Sequence, residues 1–138
     1  MCYICDMKVT TIIEKGPDGY SVYTEKLKTV LHGSGNSVKE AKEEMLAGYK
    51  GLLALYSEEG RPVPAELRDI SFSYKYDIAS LFNAFDFLNV SKFAERIGIS
   101  PSLMRHYKGG DAYISAAQAK RIEKGLHQIA NELLSVSL

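Results

Sequence analysis

Residues 100 to 108, SPSLMRHYK, put four side chains that can bond to a polyanion or a base edge within seven positions: Ser102, Arg105, His106 and Lys108. Leu103, Met104 and Tyr107 recur between them at helical spacing, so a helix here turns these three inward and the polar set outward. An arginine on such a face can bond bidentately to guanine. A serine or histidine can reach a base edge or a phosphate, and a lysine acts as a point charge on the backbone of a duplex. Ser91 and Lys92, opening the preceding helical pattern, and Ser100, opening this one, complete the candidate set of nucleic-acid contacts.

Those side chains need a scaffold, and the flanking residues supply one. Asn89 is suited to cap a helix that places Phe93, Ala94 and Ile97 on one face, with Ala94 small enough for a second helix to cross close by. Gly98 can take the left-handed conformation that ends it, and Ile99 pins the turn to a core. Ser100 then caps the second helix, with Pro101 at its first position, and Lys108, Gly109 and Gly110 stop it. The pattern predicts a helix-turn-helix, with an ordinary helical hairpin as the plainer reading of the same apolar spacing. From residue 89 to 133 it is similar to the Cro and cI repressor-like class of DNA-binding domains, with Ala94, Gly98, Ile99, Met104 and Tyr107 at the fold-defining places. A last helix opening at Ser115, with Gln118 three residues on as a capping box, carries Ile122, Leu126, Ile129 and Leu133. It leaves Leu134, Val136 and Leu138 over as apolar surface for a second copy, with packing on the core of its own domain alone as the equal alternative for this helix.

The 138 residues carry no net charge, yet the charge is unevenly placed. Residues 1 to 89 hold 10 Lys and Arg against 13 Asp and Glu, whereas residues 90 to 138 hold 7 against 4, so the basic part is the part with the paired helices. No apolar run reaches the roughly 18 residues of a membrane span, and the N-terminus lacks a basic stretch followed by an apolar one, which predicts a cytoplasmic protein without membrane partners. Cys2 and Cys5 have the spacing of half a zinc site or of a redox pair. With no second pair and with His32, His106 and His127 scattered, the expectation is two reduced cysteines and no metal or cofactor.

Upstream, the β-branched run from residue 7 to 15, the turn Gly16-Pro17-Asp18-Gly19 and the run from 20 to 25 predict a hairpin, and residues 29 to 32 a third strand. Gly33 and Gly35 are expected to hand over to a helix capped by Ser37 and Glu40, with Val38, Ala41, Met45, Tyr49, Leu52 and Tyr56 on its inner face. After a proline-containing loop, Ile70, Phe72, Tyr74 and Tyr76 alternate with polar residues along a strand. Asp77 then caps a helix whose apolar face, Ile78, Leu81, Phe82 and Phe85, belongs to the helical half. The fold class expected is α+β: a β-β-β-α-β domain over residues 1–76, then an all-α helix-turn-helix domain over residues 77–138.

The segment Gly35-Asn36-Ser37-Val38-Lys39-Glu40-Ala41, within that β-β-β-α-β order, resembles the HicB-type antitoxin family, which shows Gly-x-Thr-x-x-Glu-Ala there. Ser37 stands for the threonine with the same capping chemistry. The segment Tyr23-Thr24-Glu25-Lys26-Leu27-Lys28 replaces the family's Pro-Asp and Gly-Cys segment. The resemblance spans essentially the whole chain and implies a reduced RNase H-like first domain. It also implies a C-terminal DNA-binding module that represses its own operon, and a small RNA-cleaving HicA-type toxin as partner. A stand-alone transcriptional regulator, whose first domain serves assembly or senses a ligand, is the alternative.

An RNase H-like outline raises the possibility of a two-metal nuclease, which needs clustered carboxylates. The first strand offers Thr10, Thr11, Ile12 and Ile13 at its centre, and Glu40, Glu43 and Glu44 read as a cap and a solvated face. Neither a Ser-His-Asp order nor a phosphate-binding Gly-x-x-x-x-Gly-Lys loop is present, so no enzymatic activity is expected. Two-fold operators and the apolar C-terminal surplus together predict a homodimer or a higher even oligomer.

Overall fold

The computed structural model describes residues 7–112 and 114–138. Cys2 and Cys5 lie outside the described residues. The described chain is mixed α/β, with a four-stranded sheet and five α-helices. In order these are β1 (Met7–Gly16), β2 (Gly19–Thr24), β3 (His32–Gly35), α1 (Val38–Glu58), a 3-10 turn (Ala65–Leu67), β4 (Ile70–Tyr76), α2 (Ile78–Ala84), α3 (Val90–Ile97), α4 (Pro101–Gly109) and α5 (Ala116–Leu134). The chain divides after Ser80 into two compact units, and the division falls inside α2.

In the first unit the strands lie in the order β3-β2-β1-β4. β1 and β2 form the antiparallel hairpin, with Ile13 opposite Val22 and the turn closed at Gly16 and Gly19. β4 joins the other side of β1 in parallel, with Val9 beside Phe72 and Ile13 beside Tyr76. Alternation then sorts the side chains, since neighbours along a strand point to opposite faces. Val9, Thr11, Ile13, Val22 and Thr24 are buried on one face, while Lys8, Thr10, Ile12 and Glu14 lie on the other.

Helix α1 closes the buried face. Its Ala41 and Met45 meet Ile13, Val22, Leu31 and Leu67 in one cluster, and Tyr49, Leu52 and Tyr56 pack around it half-buried. Burying side chains of the size of Ile, Leu and Met contributes roughly 1.5–3 kcal/mol each. The helix starts because the Ser37 hydroxyl accepts the Glu40 amide at 3.1 Å. The Glu40 carboxylate reaches back one residue further than a capping box requires, accepting the Asn36 amide at 2.7 Å instead of that of Ser37.

The third strand departs from expectation: it covers His32–Gly35 and so includes both glycines, which do not form the connection to the helix. The reason is tertiary. A Cβ on Gly33 would run into the Ala41 carbonyl oxygen and stand 2.5 Å from the Met45 amide nitrogen, so α1 can lie on β3 only because Gly33 has no side chain. Strand β3 pairs with β2 through Tyr23 opposite His32 and Val22 opposite Gly33.

The second unit is built on Leu81, Phe82, Val90, Phe93, Ala94, Ile99, Met104, Tyr107 and Ile122, all buried. Phe82 meets Phe93 edge-on with centroids 6.2 Å apart. Gly125 lets α5 press on α3, since a Cβ there would overlap Ile97 Cγ2 and lie 3.3 Å from the Phe93 ring. Two apolar positions expected inward are exposed. Phe85 falls just past the end of α2 and pairs edge-on with the exposed Phe87, and Leu133, in the last turn of α5, is 63% exposed. Among the described residues no helix is long and apolar enough to cross a membrane.

Candidate nucleic-acid interface

The pair α3 and α4 is set by local chemistry at each of its ends. Asn89 Oδ1 accepts the Lys92 amide at 3.0 Å and starts α3. Gly98, left-handed at φ 76, ends it, with its own amide returning to the last turn. Ile99 is buried at the turn and its amide bonds back to the Ala94 carbonyl at 3.0 Å. Ser100 starts α4 by accepting the Leu103 amide at 3.5 Å, Pro101 occupies the first turn, and Gly110, left-handed at φ 77, ends it. The turn is braced by Arg121 of α5, whose guanidinium donates to the Gly98 carbonyl at 3.4 Å. An ion pair between Arg96 and Glu132 joins α3 to α5 near the far end of that helix.

This frame orients α4. Met104 and Tyr107 are buried against α3, which forces Ser102, Arg105, His106 and Lys108 outward, and all four are exposed. Lys92 and Ser100 are exposed as well, and Ser91 is half-buried. The seven candidates therefore separate into roles. The Ser100 oxygen is committed to its cap. Ser91 Oγ accepts from Arg105 Nη1 at 3.0 Å, joining the start of α3 to the middle of α4. His106 Nδ1 lies 3.2 Å from Asp111 Oδ2, which turns the ring toward the C-terminal end of α4.

A cleft of about 550 Å³ opens between these helices, lined by Leu88, Asn89, Ser91, Arg105, Lys108 and Gly109. Two cations on one wall and the N-terminus of α3 on the other give it a positive lining. Compared with known proteins, the chain matches no family model, no curated protein and no solved structure.

Asp111 and Arg121 join the site without having been singled out in the sequence. Each acts through a partner that folding supplies, Asp111 on His106 around the end of α4 and Arg121 on a carbonyl 23 positions away, so no local spacing announces it. Chemically the arrangement offers donors: a guanidinium, an ammonium, an imidazole and a hydroxyl on one rigid face. Among the described residues no group of three or more His, Cys, Asp or Glu is placed to hold a metal ion.

Proposed function

We propose that this protein is a cytoplasmic DNA-binding antitoxin. In this reading its second unit is a helix-turn-helix of the Cro and cI repressor-like kind that binds an operator and represses its own operon. Its first unit is a reduced RNase H-like, HicB-type domain that neutralises a small RNA-cleaving toxin and catalyses nothing itself. The observation that carries the DNA half is the outward set Ser102, Arg105, His106 and Lys108 on α4, held there by the burial of Met104 and Tyr107. Such a face matches the donor chemistry that a major groove reads, with phosphate contacts for position and the arginine for a base. The excess of Lys and Arg in residues 90 to 138 supports it.

The toxin half rests on charge and on the segment from Gly35 to Ala41. Residues 1 to 89 are net acidic, and a protein that grips RNA must present a basic surface, so the two attract and associate faster than neutral partners. The experiment is co-expression with the small gene product encoded beside this one, followed by co-purification, a growth assay and an operator-binding assay. A harmless neighbour that does not co-purify removes the antitoxin half. Sequence-specific duplex binding that persists in that case leaves a stand-alone regulator, and its absence overturns the DNA half too.

A further inference from the structure

We infer that Asp111 is a positioning residue that fixes the proton of His106 on Nδ1, so that the ring offers a bare Nε2 and reads the exocyclic amino group of adenine or cytosine. The inference rests on the DNA-binding reading of the second unit and names what one of its outward side chains recognises.

The pair is built by the way α4 ends. Gly110, left-handed at φ 77, donates its amide to the Tyr107 carbonyl at 3.2 Å, and Asp111 donates its own to the His106 carbonyl at 3.2 Å. These two bonds make a helix stop that sets the residue after the glycine beside the residue five positions before it, a contact more often filled by two apolar side chains. Here it holds a carboxylate and an imidazole, with Asp111 Oδ2 3.2 Å from His106 Nδ1. Gly109 makes room for them, since a Cβ there would stand 3.2 Å from Asp111 Oδ1. Both side chains are exposed, yet it is the backbone of the stop that brings them together.

The stop does not need this charge. A carboxylate just past a helix C-terminus faces the negative end of the helix dipole, so Asp111 stands where it weakens α4. Its effect on His106 is definite. An ionised carboxylate accepts hydrogen bonds and donates none, so the contact requires a proton on Nδ1. A neutral imidazole is a donor and an acceptor at once, and here the donor is spent within the chain. What remains for a ligand is the lone pair of Nε2.

That decides among the groups a histidine can meet on a duplex. Phosphate oxygens, guanine N7 and O6 and thymine O4 are all acceptors and give a bare nitrogen nothing to bond, whereas N6 of adenine and N4 of cytosine are donors. The Asp111 charge also repels phosphates, which keeps the ring off the backbone. Arg105 is the complement, because a guanidinium has donors only and suits guanine. Helix α4 thus carries one side chain for each kind of base edge.

The test begins without DNA. In the full chain carrying isotope-labelled histidine, nitrogen chemical shifts at about pH 8.5, where ordinary imidazoles are neutral, tell which ring nitrogen holds the proton. The His106 signals are those lost in His106→Gln. The proton should be on Nδ1, opposite to the preference of an imidazole in water, and Asp111→Ala should return it to Nε2. Selection from a pool of random-sequence duplexes then reads the consequence. The parent should prefer adenine or cytosine at one position, His106→Ala should reduce that preference roughly three- to tenfold, and Asp111→Ala should move it toward guanine or thymine. A proton on Nε2 in the parent, or one that Asp111→Ala leaves on Nδ1, overturns Asp111 as the positioning residue. A His106→Ala that weakens every sequence alike places the ring on a phosphate and overturns the base reading. Failure to bind any duplex is distinct from both: it removes the DNA-binding reading and the amino group with it, while the nitrogen shifts still decide whether Asp111 fixes the proton.

Discussion

Arg105 Nη1 lies 3.0 Å from Ser91 Oγ, so the guanidinium that α4 presents is fastened to the second residue of α3, fourteen positions earlier. An arginine loses much rotamer freedom when a ligand fixes it, and a side chain already fastened has less to lose. The contact therefore makes Ser91 a positioning residue for Arg105 under the proposed function.

Arg105→Ala should weaken duplex binding by roughly 1–3 kcal/mol and relax the preference at one base position. Ser91→Ala should cost less, about 0.5–1.5 kcal/mol, by freeing the guanidinium without removing it. Lys108→Ala should weaken all sequences alike and shallow the salt dependence. Titrations of operator and mismatched duplexes at several salt concentrations separate the three, and sequence-blind losses for Arg105→Ala would remove it from base reading.

Two glycines of the first unit should respond oppositely to alanine. Gly33→Ala places a methyl into the backbone of α1 at Ala41 and Met45, which should cost roughly 1–3 kcal/mol or more. Gly48 lies in the interior of α1 with nothing within 4 Å of the site for a Cβ, so Gly48→Ala should stabilise by about 0.5–1 kcal/mol. Urea unfolding of both variants beside the parent is the check, and a stabilised Gly33→Ala would mean that α1 does not lie on β3.

The contrast between those glycines marks what could be read in the sequence. Ser37, Asn89, Ser100 and Ser115 were legible as helix starts, and Gly98 as a stop, because capping is chemistry between residues at most a few positions apart. The β4 alternation was legible for the same reason. The role of Gly33 was not, since a glycine read locally marks a turn, and only the approach of a helix from outside the strand makes it a strand residue. The Ser91 to Arg105 contact and the Asp111 hold on His106 were hidden likewise, each depending on how α4 is laid against its surroundings. Phe85 and Leu133 misled because an apolar period names a face of a helix without saying whether another element covers it, and both are exposed.

Four tyrosines of the first unit give it an alkaline limit. Burial raises Tyr49, Tyr74 and Tyr76 above the ordinary value of 10, and Tyr23 is pushed up to about 12 by burial and by its bond to Glu14 at 2.8 Å. The folded chain then holds protons that the unfolded chain has released. Their contribution is complete below pH about 10 and falls as pH rises toward about 12. Tyrosinate absorbance followed together with unfolding should show the loss in that window, and Tyr23→Phe should flatten it. A stability that is level from pH 10 to 12 contradicts these shifts.

The exposed Leu134, Val136 and Leu138 should matter to assembly. Replacing all three by serine should lower the mass in solution at micromolar concentration if they join copies for a two-fold operator with half-sites roughly 34 Å apart. Sedimentation of the parent and variant decides it, and an unchanged mass would assign assembly elsewhere.

The parallel seam between β1 and β4 also sets an order of events. Met7 pairs with Ile70 and Ile13 with Tyr76, so the partners are 63 positions apart, whereas the β1 and β2 hairpin closes across Gly16 and Gly19. Contacts so distant along the chain form after local ones, since the loop must be closed before they repay it. During synthesis the hairpin and α1 emerge while β4 is still to be made, and until it arrives the outer side of β1 is the open edge of a three-stranded sheet carrying Val9, Thr11 and Ile13. A ribosome stalled before Ile70 would hold a chain in that state, and there the nascent protein is most prone to pair with the wrong strand.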